Sequence, residues 1–414
     1  MHEFGVVTAL ISGAVLAALL FRVAAVRLRV PAPVAFLLVA AVASDLVPPL
    51  GTALSPRAVG WIASGALLVI LFNGGVGLGW RRVRAVIGPV AVLGLGATAV
   101  AAGVMTVAAR VVLDLSWSSA AVVGVALAPT DPAVVFSVLG ESALARRLQT
   151  ILEAESGAND PISIALMAGV LAAATSGGSW CGSVGLTIVR ELGIGLTVGV
   201  AGAWLAHRPL KHLTSPRETL QPIVALAAAG LIFGVTTAAH GSGFLAVFVA
   251  GILIGDSEST VGKDVRAFHA ELGALAEVVV FVALGLTVHL SSLGWSGLGD
   301  GLLLAIVLVT IARGPFVVAA LAPLRLPLPE RLFLAWAGLR GAVPILLASL
   351  AVVAGLGDAR RIYGLVFVVV AASVLVQGST IPVVARRLGV ARPALAEEDG
   401  VASPGESHDL EGRL

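Results

Sequence analysis

The stretch Ala-Pro-Thr-Asp-Pro-Ala at residues 128–133 interrupts an apolar segment that is otherwise long enough to cross a membrane. Pro129 and Pro132 each remove a backbone N–H donor and leave a carbonyl oxygen without its helical partner. Irregular backbone at membrane depth persists only where it lines a polar cavity or is buried in protein. The stretch therefore predicts a broken membrane helix that carries an acid, Asp131, near its middle.

A second interrupted segment, Leu-Arg-Gly-Ala-Val-Pro at residues 339–344, places Arg340 inside another apolar segment. The first break lies in the fifth predicted helix and the second in the twelfth. This spacing of seven predicts two inverted six-helix repeats, joined by the seventh helix, in which broken helices 5 and 12 cross. A matched pair of broken helices is typical of the binding site of a secondary transporter.

The composition agrees with a membrane protein. Of the 414 residues, 58% are hydrophobic and 12% are charged, whereas a soluble domain is about 45–50% apolar and about 25% charged. This excludes a soluble enzyme and a disordered protein, and the net charge of +2 gives no indication of nucleic-acid binding. One cysteine and seven histidines without paired spacing predict neither a disulfide framework nor a structural metal. No cofactor is predicted, and no motif for an ATP-driven pump is present.

Because a spanning helix needs about 20 largely apolar residues, hydropathy predicts an all-α, polytopic protein with about thirteen transmembrane helices. The predicted helices are 4–20, 31–49, 59–79, 86–111, 117–139, 149–174, 184–206, 219–239, 242–255, 270–289, 299–322, 330–355 and 362–385. They form one transmembrane domain over residues 1–390. The polar, acidic residues 391–414 are expected to be a short disordered cytoplasmic tail.

The distribution of basic residues predicts the orientation in the cell membrane. Fifteen lysines and arginines fall in one set of alternate loops and four in the other. The basic loops face the cytoplasm, which places the N-terminus outside and the C-terminus inside. An odd number of helices satisfies that arrangement.

Few charged residues remain at membrane depth, and each is a candidate because a charge there costs at least about 2.5–3.5 kcal/mol. At about 1.5 Å per residue, Asp160 lies about 16 Å into its helix and Arg340 about 15 Å into its own. Arg313 and Asp131 reach a similar depth from the other side. Two acids and two arginines are therefore expected on one plane, with Glu155 about one and a half turns from Asp160.

The residues alone leave some roles open. Asp160 and Glu155 are interpreted as functional rather than as part of a structural ion pair. Asp131 and Arg340 either act directly or serve as countercharges to the exposed helix ends at the crossing. Arg313 is interpreted as the structural partner of an acid.

The stretch Glu-Ser-Gly-Ala-Asn-Asp-Pro at residues 155–161, together with residues 130–132 and 339–344, resembles the monovalent cation:proton antiporters of the NhaP/NHE type. The resemblance covers almost the whole chain, including Leu-Phe-Asn-Gly-Gly at residues 71–75. It implies a thirteen-helix protomer with a core domain and a dimerisation domain, assembled as a homodimer.

The resemblance also implies roles for individual residues. Asp160 matches the carboxylate that binds the proton and the cation in this family, and Glu155, Ser156 and Thr130 match the other ligands of the transient monovalent cation. Asn159 matches the asparagine of relatives that resemble electroneutral exchangers.

One departure from the family affects the ion pairs. The family often carries an acid where this chain has Asn73. Without that acid, Asp131 or Glu155 becomes the expected partner of Arg340.

Burial disfavours the ionised form of a carboxylate, so a proton and a cation are expected to compete for Asp160. If the site can switch between the two sides of the membrane only when a proton or a cation neutralises it, the protein exchanges one for the other. The predicted function is secondary active exchange of Na⁺ or K⁺ for protons by alternating access, electroneutral at one to one. The pattern does not select the cation.

Two other functions fit the sequence less well. A symporter for a small organic anion would use Arg340 and Arg313 as carboxylate clamps, but 5% aromatic residues is little for the lining of such a cavity. A channel is disfavoured because the acidic site is single and not part of a ring of repeats.

Overall fold

The structure is a computed structural model that describes residues 32–47, 54–140, 143–176, 180–212, 220–256, 263–288, 290–292 and 294–391. The predicted helix 4–20 and the tail beyond residue 391 lie outside these ranges. The described residues are almost entirely helical, with one isolated β-bridge between Leu144 and Ala391. The α-helices are α1 (Ala32–Leu46), α2 (Pro56–Leu78), α3 (Trp80–Ala85), α4 (Ile87–Leu113), α5 (Trp117–Ala126), α6 (Ala133–Leu139), α7 (Arg146–Ser176), α8 (Trp180–His212), α9 (Gln221–Ala238), α10 (Gly243–Gly255), α11 (Lys263–Leu286), α12 (Gly294–Ala320), α13 (Leu328–Trp336), α14 (Ala342–Val353) and α15 (Ala359–Arg387).

The all-α membrane architecture is confirmed within the described ranges. Eight of these helices are long and apolar enough to cross a membrane, and four shorter apolar segments accompany them. Two of the short segments, α5 and α14, are each one half of a broken helix. The predicted helix 117–139 divides into α5 and α6, and the predicted helix 330–355 divides into α13 and α14. The short helix α3, rich in arginine, was not predicted.

Three of the long helices contain a π-helical turn. These turns are Val92–Ala97 in α4, Leu308–Arg313 in α12 and Ser373–Gly378 in α15. Helices α4 and α12 correspond to the fourth and eleventh predicted helices, so their interruptions repeat at the same spacing of seven as the two breaks. This agreement supports the predicted repeat, which residue identities did not reveal.

Among the described residues, the buried hydrophobic side chains form two clusters that pack the helices together around the crossing. The larger cluster joins α4, α5 and α7 to α12, α13, α14 and α15. The smaller packs α2 against α8, α9 and α10. Helices α2 and α10 touch backbone to backbone, because a Cβ on Gly75 would lie 2.5 Å from the Phe248 carbonyl oxygen. Small residues of this kind allow membrane helices to approach closely.

Candidate functional site

The two breaks lie directly against each other. The backbone N–H of Asp131, between α5 and α6, donates a hydrogen bond to the carbonyl oxygen of Leu339, between α13 and α14, at 2.8 Å. Each break frees main-chain groups that need a partner when buried. The crossing supplies that partner from the other broken helix, so the two breaks are joined through their main chains.

Helix α7 provides the partners for the main chain of Thr130. The Ser156 hydroxyl donates to the Thr130 carbonyl oxygen at 2.7 Å, and the Thr130 N–H donates to the Asn159 side-chain oxygen at 3.3 Å. The Asn159 side-chain nitrogen donates to the Thr130 hydroxyl at 2.8 Å. All three residues are buried. The structure thus brings together three of the residues that the sequence pattern singled out.

Glu155 forms an ion pair with Arg313. Its Oε1 lies 2.7 Å from Arg313 Nη1, and the two side chains are only 1% and 5% exposed. The Arg313 Nη2 also donates to the Leu334 carbonyl oxygen at 3.1 Å, and the Thr130 hydroxyl donates to Glu155 Oε1 at 3.4 Å. Gly338 makes room for this guanidinium, since a Cβ at that position would overlap it. Arg313 is therefore placed as the partner of an acid.

Arg340 has a different environment from the one expected. Its Nη1 donates to the Gly338 carbonyl oxygen at 2.9 Å, and its backbone N–H donates to the Ser373 hydroxyl at 3.2 Å. Among the described residues it forms no ion pair, although Asp131 or Glu155 was the expected partner. The side chain is fully buried. The prediction of depth placed Arg340 at the crossing but did not identify what it contacts there.

Four carbonyl groups at and just after the end of α13 accept hydrogen bonds from outside that helix. The four residues concerned are Leu334, Trp336, Gly338 and Leu339. Two of the donors are the guanidinium groups of Arg313 and Arg340. The negative end of a helix dipole favours cations, so these arginines neutralise the exposed end of α13.

Asp131 lies at the opposite kind of helix end. Its Oδ1 accepts a hydrogen bond from the Ala133 N–H at 2.9 Å, at the start of α6. Its carboxylate also lies against Gly341, immediately before α14, where a Cβ would overlap it. One acid therefore faces the N-terminal ends of two half-helices, where negative charge is favoured. This is the position of a countercharge, one of the two interpretations of Asp131 that the sequence leaves open.

Asp160 is a buried acid without an ion-pair partner among the described residues. It is 6% exposed, and its Oδ1 has no hydrogen-bond partner among the described residues. The same holds for Oε2 of Glu155. Asp160 and Glu155 thus each have one buried oxygen without a hydrogen-bond partner in the described part of the chain. Pro161, inside α7, removes a backbone donor just after Asp160.

Three polar residues of the site were not predicted from the sequence. Ser163, three residues after Asp160 and therefore on the same face of α7, is fully buried with an unpartnered hydroxyl. Ser373 and Gln377, in the π-helical turn of α15, are also buried. These groups are neutral, and the presence of a charge at membrane depth does not reveal them. A buried amide in an otherwise apolar predicted helix was the available signal for Gln377.

The fold and the site define a multi-pass α-helical membrane protein in which two broken helices cross beside a buried pair of acids. The chain belongs to the sodium/hydrogen exchanger family, whose transmembrane region matches residues 11–387.

Among similar proteins, the K⁺/H⁺ antiporter NhaP of Alkalimonas amylolytica is 35% identical over 344 residues, which cover 82% of this chain and 59% of that protein. The K⁺/H⁺ antiporter NhaP2 of Shewanella oneidensis is 31% identical over 377 residues, 89% of this chain and 64% of that protein. The chain spans about six tenths of the length of these relatives.

A solved structure shows the same fold. The sodium proton antiporter MjNhaP1 from Methanocaldococcus jannaschii superposes with a TM-score of 0.80 at 22% sequence identity, covering 93% of this chain and 99% of that one. The family match, the relatives and this structure agree with the resemblance inferred from residues 155–161.

Proposed function

We propose that the protein is a secondary active transporter that exchanges Na⁺ or K⁺ for protons around Asp160. The observation that carries the proposal is the buried Asp160 carboxylate, one oxygen of which has no hydrogen-bond partner among the described residues. A second acid, Glu155, lies five residues earlier on the same helix and is already paired with an arginine. Family membership and the names of the relatives support the same activity.

The proposed mechanism follows from the different surroundings of the two acids. Glu155 lies against Arg313, whose charge compensates its own. Asp160 has no such partner among the described residues, and an isolated buried charge is costly. A proton or a cation neutralises it, and the two compete for one carboxylate. If only the neutralised site changes sides, each proton that enters replaces one cation that leaves.

The oxygen atoms around Asp160 suit a hard monovalent cation, which prefers oxygen ligands. We propose that Asp160, Glu155 Oε2, the Ser156 hydroxyl and the Thr130 carbonyl oxygen hold it, with Asn159 fixing the position of Thr130. The Thr130 carbonyl already accepts one hydrogen bond from Ser156 and retains a second lone pair.

The alternative of an organic-anion symporter lacks support in this arrangement. It requires guanidinium groups that are free to clamp a carboxylate. Arg313 is committed to Glu155 and to Leu334, so a clamp made of both arginines is not available. Arg340 has two guanidinium nitrogens, Nε and Nη2, without a hydrogen-bond partner among the described residues, and it is fully buried.

The exchange activity is tested in everted vesicles that hold a proton gradient reported by a quenched dye. Addition of Na⁺ or K⁺ should release the quenching with no organic substrate present, and choline should not. A scan across Na⁺, K⁺ and Li⁺ would identify the cation. A response that requires an organic anion, or no response to any alkali cation, would contradict the proposal.

We expect the exchange to be electroneutral, with one proton for each cation. Asn159 cannot carry a proton, Glu155 is compensated by Arg313 and Asp131 faces helix ends. Of the acids of the described site, this leaves Asp160 as the one that cycles. The rate of cation-driven proton flux in proteoliposomes should not change when the membrane potential is clamped at different values. A rate that follows the potential would mean that a second charge moves, and Asp131 would be the first residue to examine.

We further propose that residues 1–390 form a single exchanger domain in the cell membrane, with the N-terminus outside and residues 391–414 in the cytoplasm. The asymmetry of basic residues between alternate loops supports this orientation. A homodimer is part of the proposal and is supported by the family resemblance.

A further inference from the structure

A chain of hydrogen bonds connects the π-helical turn of α15 to both sides of the break between α13 and α14. The Gln377 Nε2 donates to the Trp336 carbonyl oxygen at 3.0 Å. The Gln377 Oε1 accepts a hydrogen bond from the Ser373 hydroxyl at 2.7 Å, and the Ser373 oxygen accepts one from the Arg340 N–H at 3.2 Å. We call Ser373 and Gln377 the clasp.

The clasp satisfies groups that the break leaves without helical partners. Trp336 is the last residue of α13, and Arg340 lies between α13 and α14. Such groups need partners from elsewhere when they are buried. Both clasp residues are themselves buried, at 3% and 4% exposure, so water is not a ready substitute. The Trp336 side chain is held by the same helix, because its Nε1 donates to the Thr380 hydroxyl at 3.1 Å.

The clasp holds a segment of main chain that lies against the charged groups of the site. It fixes the backbone of Arg340, whose neighbours in sequence are in contact with two other charged groups. Gly338 lies against Arg313, and Gly341 lies against Asp131. A shift of this segment would therefore move Arg340 and disturb the contacts of Arg313 and Asp131, although no charged residue is substituted.

We propose that Ser373 and Gln377 are positioning residues for the exchange, which act by fixing the broken segment that carries Arg340. The inference rests on the proposed function. Both residues are neutral, and neither forms one of the hydrogen bonds to the proposed cation ligands given for the site. They would nevertheless affect the affinity for the cation and for the proton. π-Helical turns are frequently found at functional sites, and this one carries both members of the clasp.

The test is cation-driven proton flux in proteoliposomes, with the apparent KM for the cation and the pH profile measured for each variant. Gln377→Ala and Ser373→Ala should each raise the apparent KM by about three- to tenfold, the range expected for one lost buried hydrogen bond, and should displace the pH profile. Ser373→Thr keeps the hydroxyl and should restore the KM. Ser379→Ala is the matched control, because Ser379 lies on the same helix and its hydroxyl, in the described part of the chain, donates only to the Leu375 and Val376 carbonyls of that helix.

A purely structural role would lower the amount of folded protein and the maximal rate while the KM and the pH profile stayed the same, and that result would overturn the inference. If Gln377→Ala does not fold, the comparison of Ser373→Ala with Ser373→Thr decides. Cation-dependent thermal stabilisation of the purified protein is measured in parallel. This measurement reports cation binding even where no exchange is seen. It therefore distinguishes a wild-type protein that does not exchange cations from an incorrect role for Ser373 and Gln377. Unchanged cation-dependent stabilisation in both alanine variants would overturn the inference.

Discussion

Replacing Asp160 with asparagine should abolish cation-driven proton movement. Asparagine has nearly the same shape but can neither bind a proton at neutral pH nor supply a negative charge for a cation. The buried Asp160 oxygen has no protein partner among the described residues, so the loss of its charge breaks no ion pair and the protein should still insert into the membrane. Dye dequenching in everted vesicles would show the loss, with the amount of protein in the membrane measured alongside.

Asp114→Asn provides a matched control for this experiment. Asp114 is an acid of the same type, but it is 93% exposed and pairs with Arg110 at the end of α4. Its substitution should leave the exchange unchanged. Normal exchange by a well-expressed Asp160→Asn protein would refute the assignment of Asp160, and Glu155 would then be the acid to examine.

The largest effect on stability is expected from Arg313→Ala. This change removes the partner of Glu155 and leaves a carboxylate that is only 1% exposed without compensation. Breaking a buried pair in this way costs about 3–5 kcal/mol. The purified protein should therefore unfold at a markedly lower temperature, and less of it should reach the membrane.

A double substitution distinguishes loss of charge compensation from loss of packing. Adding Glu155→Gln to Arg313→Ala removes the unpaired charge, and should recover part of the lost stability even if exchange stays impaired. Arg110→Ala, which breaks an exposed pair, should cost no more than about 1 kcal/mol. An Arg313→Ala protein as stable as the wild type, or a double variant with no recovery, would show that the pair does not have this role.

The positions of the breaks were predictable because proline and glycine mark them in the sequence. Residues 128–133 indicated the end of α5, and residues 339–344 indicated the start of α14. The apolar segments likewise predicted the long helices, since membrane depth sets their length. Helix α3 was missed because it is short and basic, and neither property distinguishes it from a loop.

The partners of the two arginines were not predictable in the same way. Residue spacing gives the depth of a side chain but not the direction in which the packed helix turns it. The π-helical turn that ends at Arg313 changes that direction, and hydropathy does not reveal it. The sequence placed Arg313 and Arg340 at one depth, whereas only the packing shows that Arg313 contacts Glu155.

Hydrogen bonds to the main chain form another class of contact that sequence patterns do not display. Ser156 and Asn159 were singled out by resemblance as part of the cation site. Their contacts with the carbonyl and N–H of Thr130 became visible only in three dimensions. The same is true of the Arg340 N–H and the Ser373 hydroxyl.

The bond between the Asp131 N–H and the Leu339 carbonyl belongs wholly to the main chain. Every amino acid has the carbonyl, and every one except proline has the N–H. Substitutions can therefore replace both side chains over many generations while this main-chain hydrogen bond is kept. Lineages that diverge until few residues agree can still inherit the same crossing, as expected where a TM-score of 0.80 accompanies 22% identity.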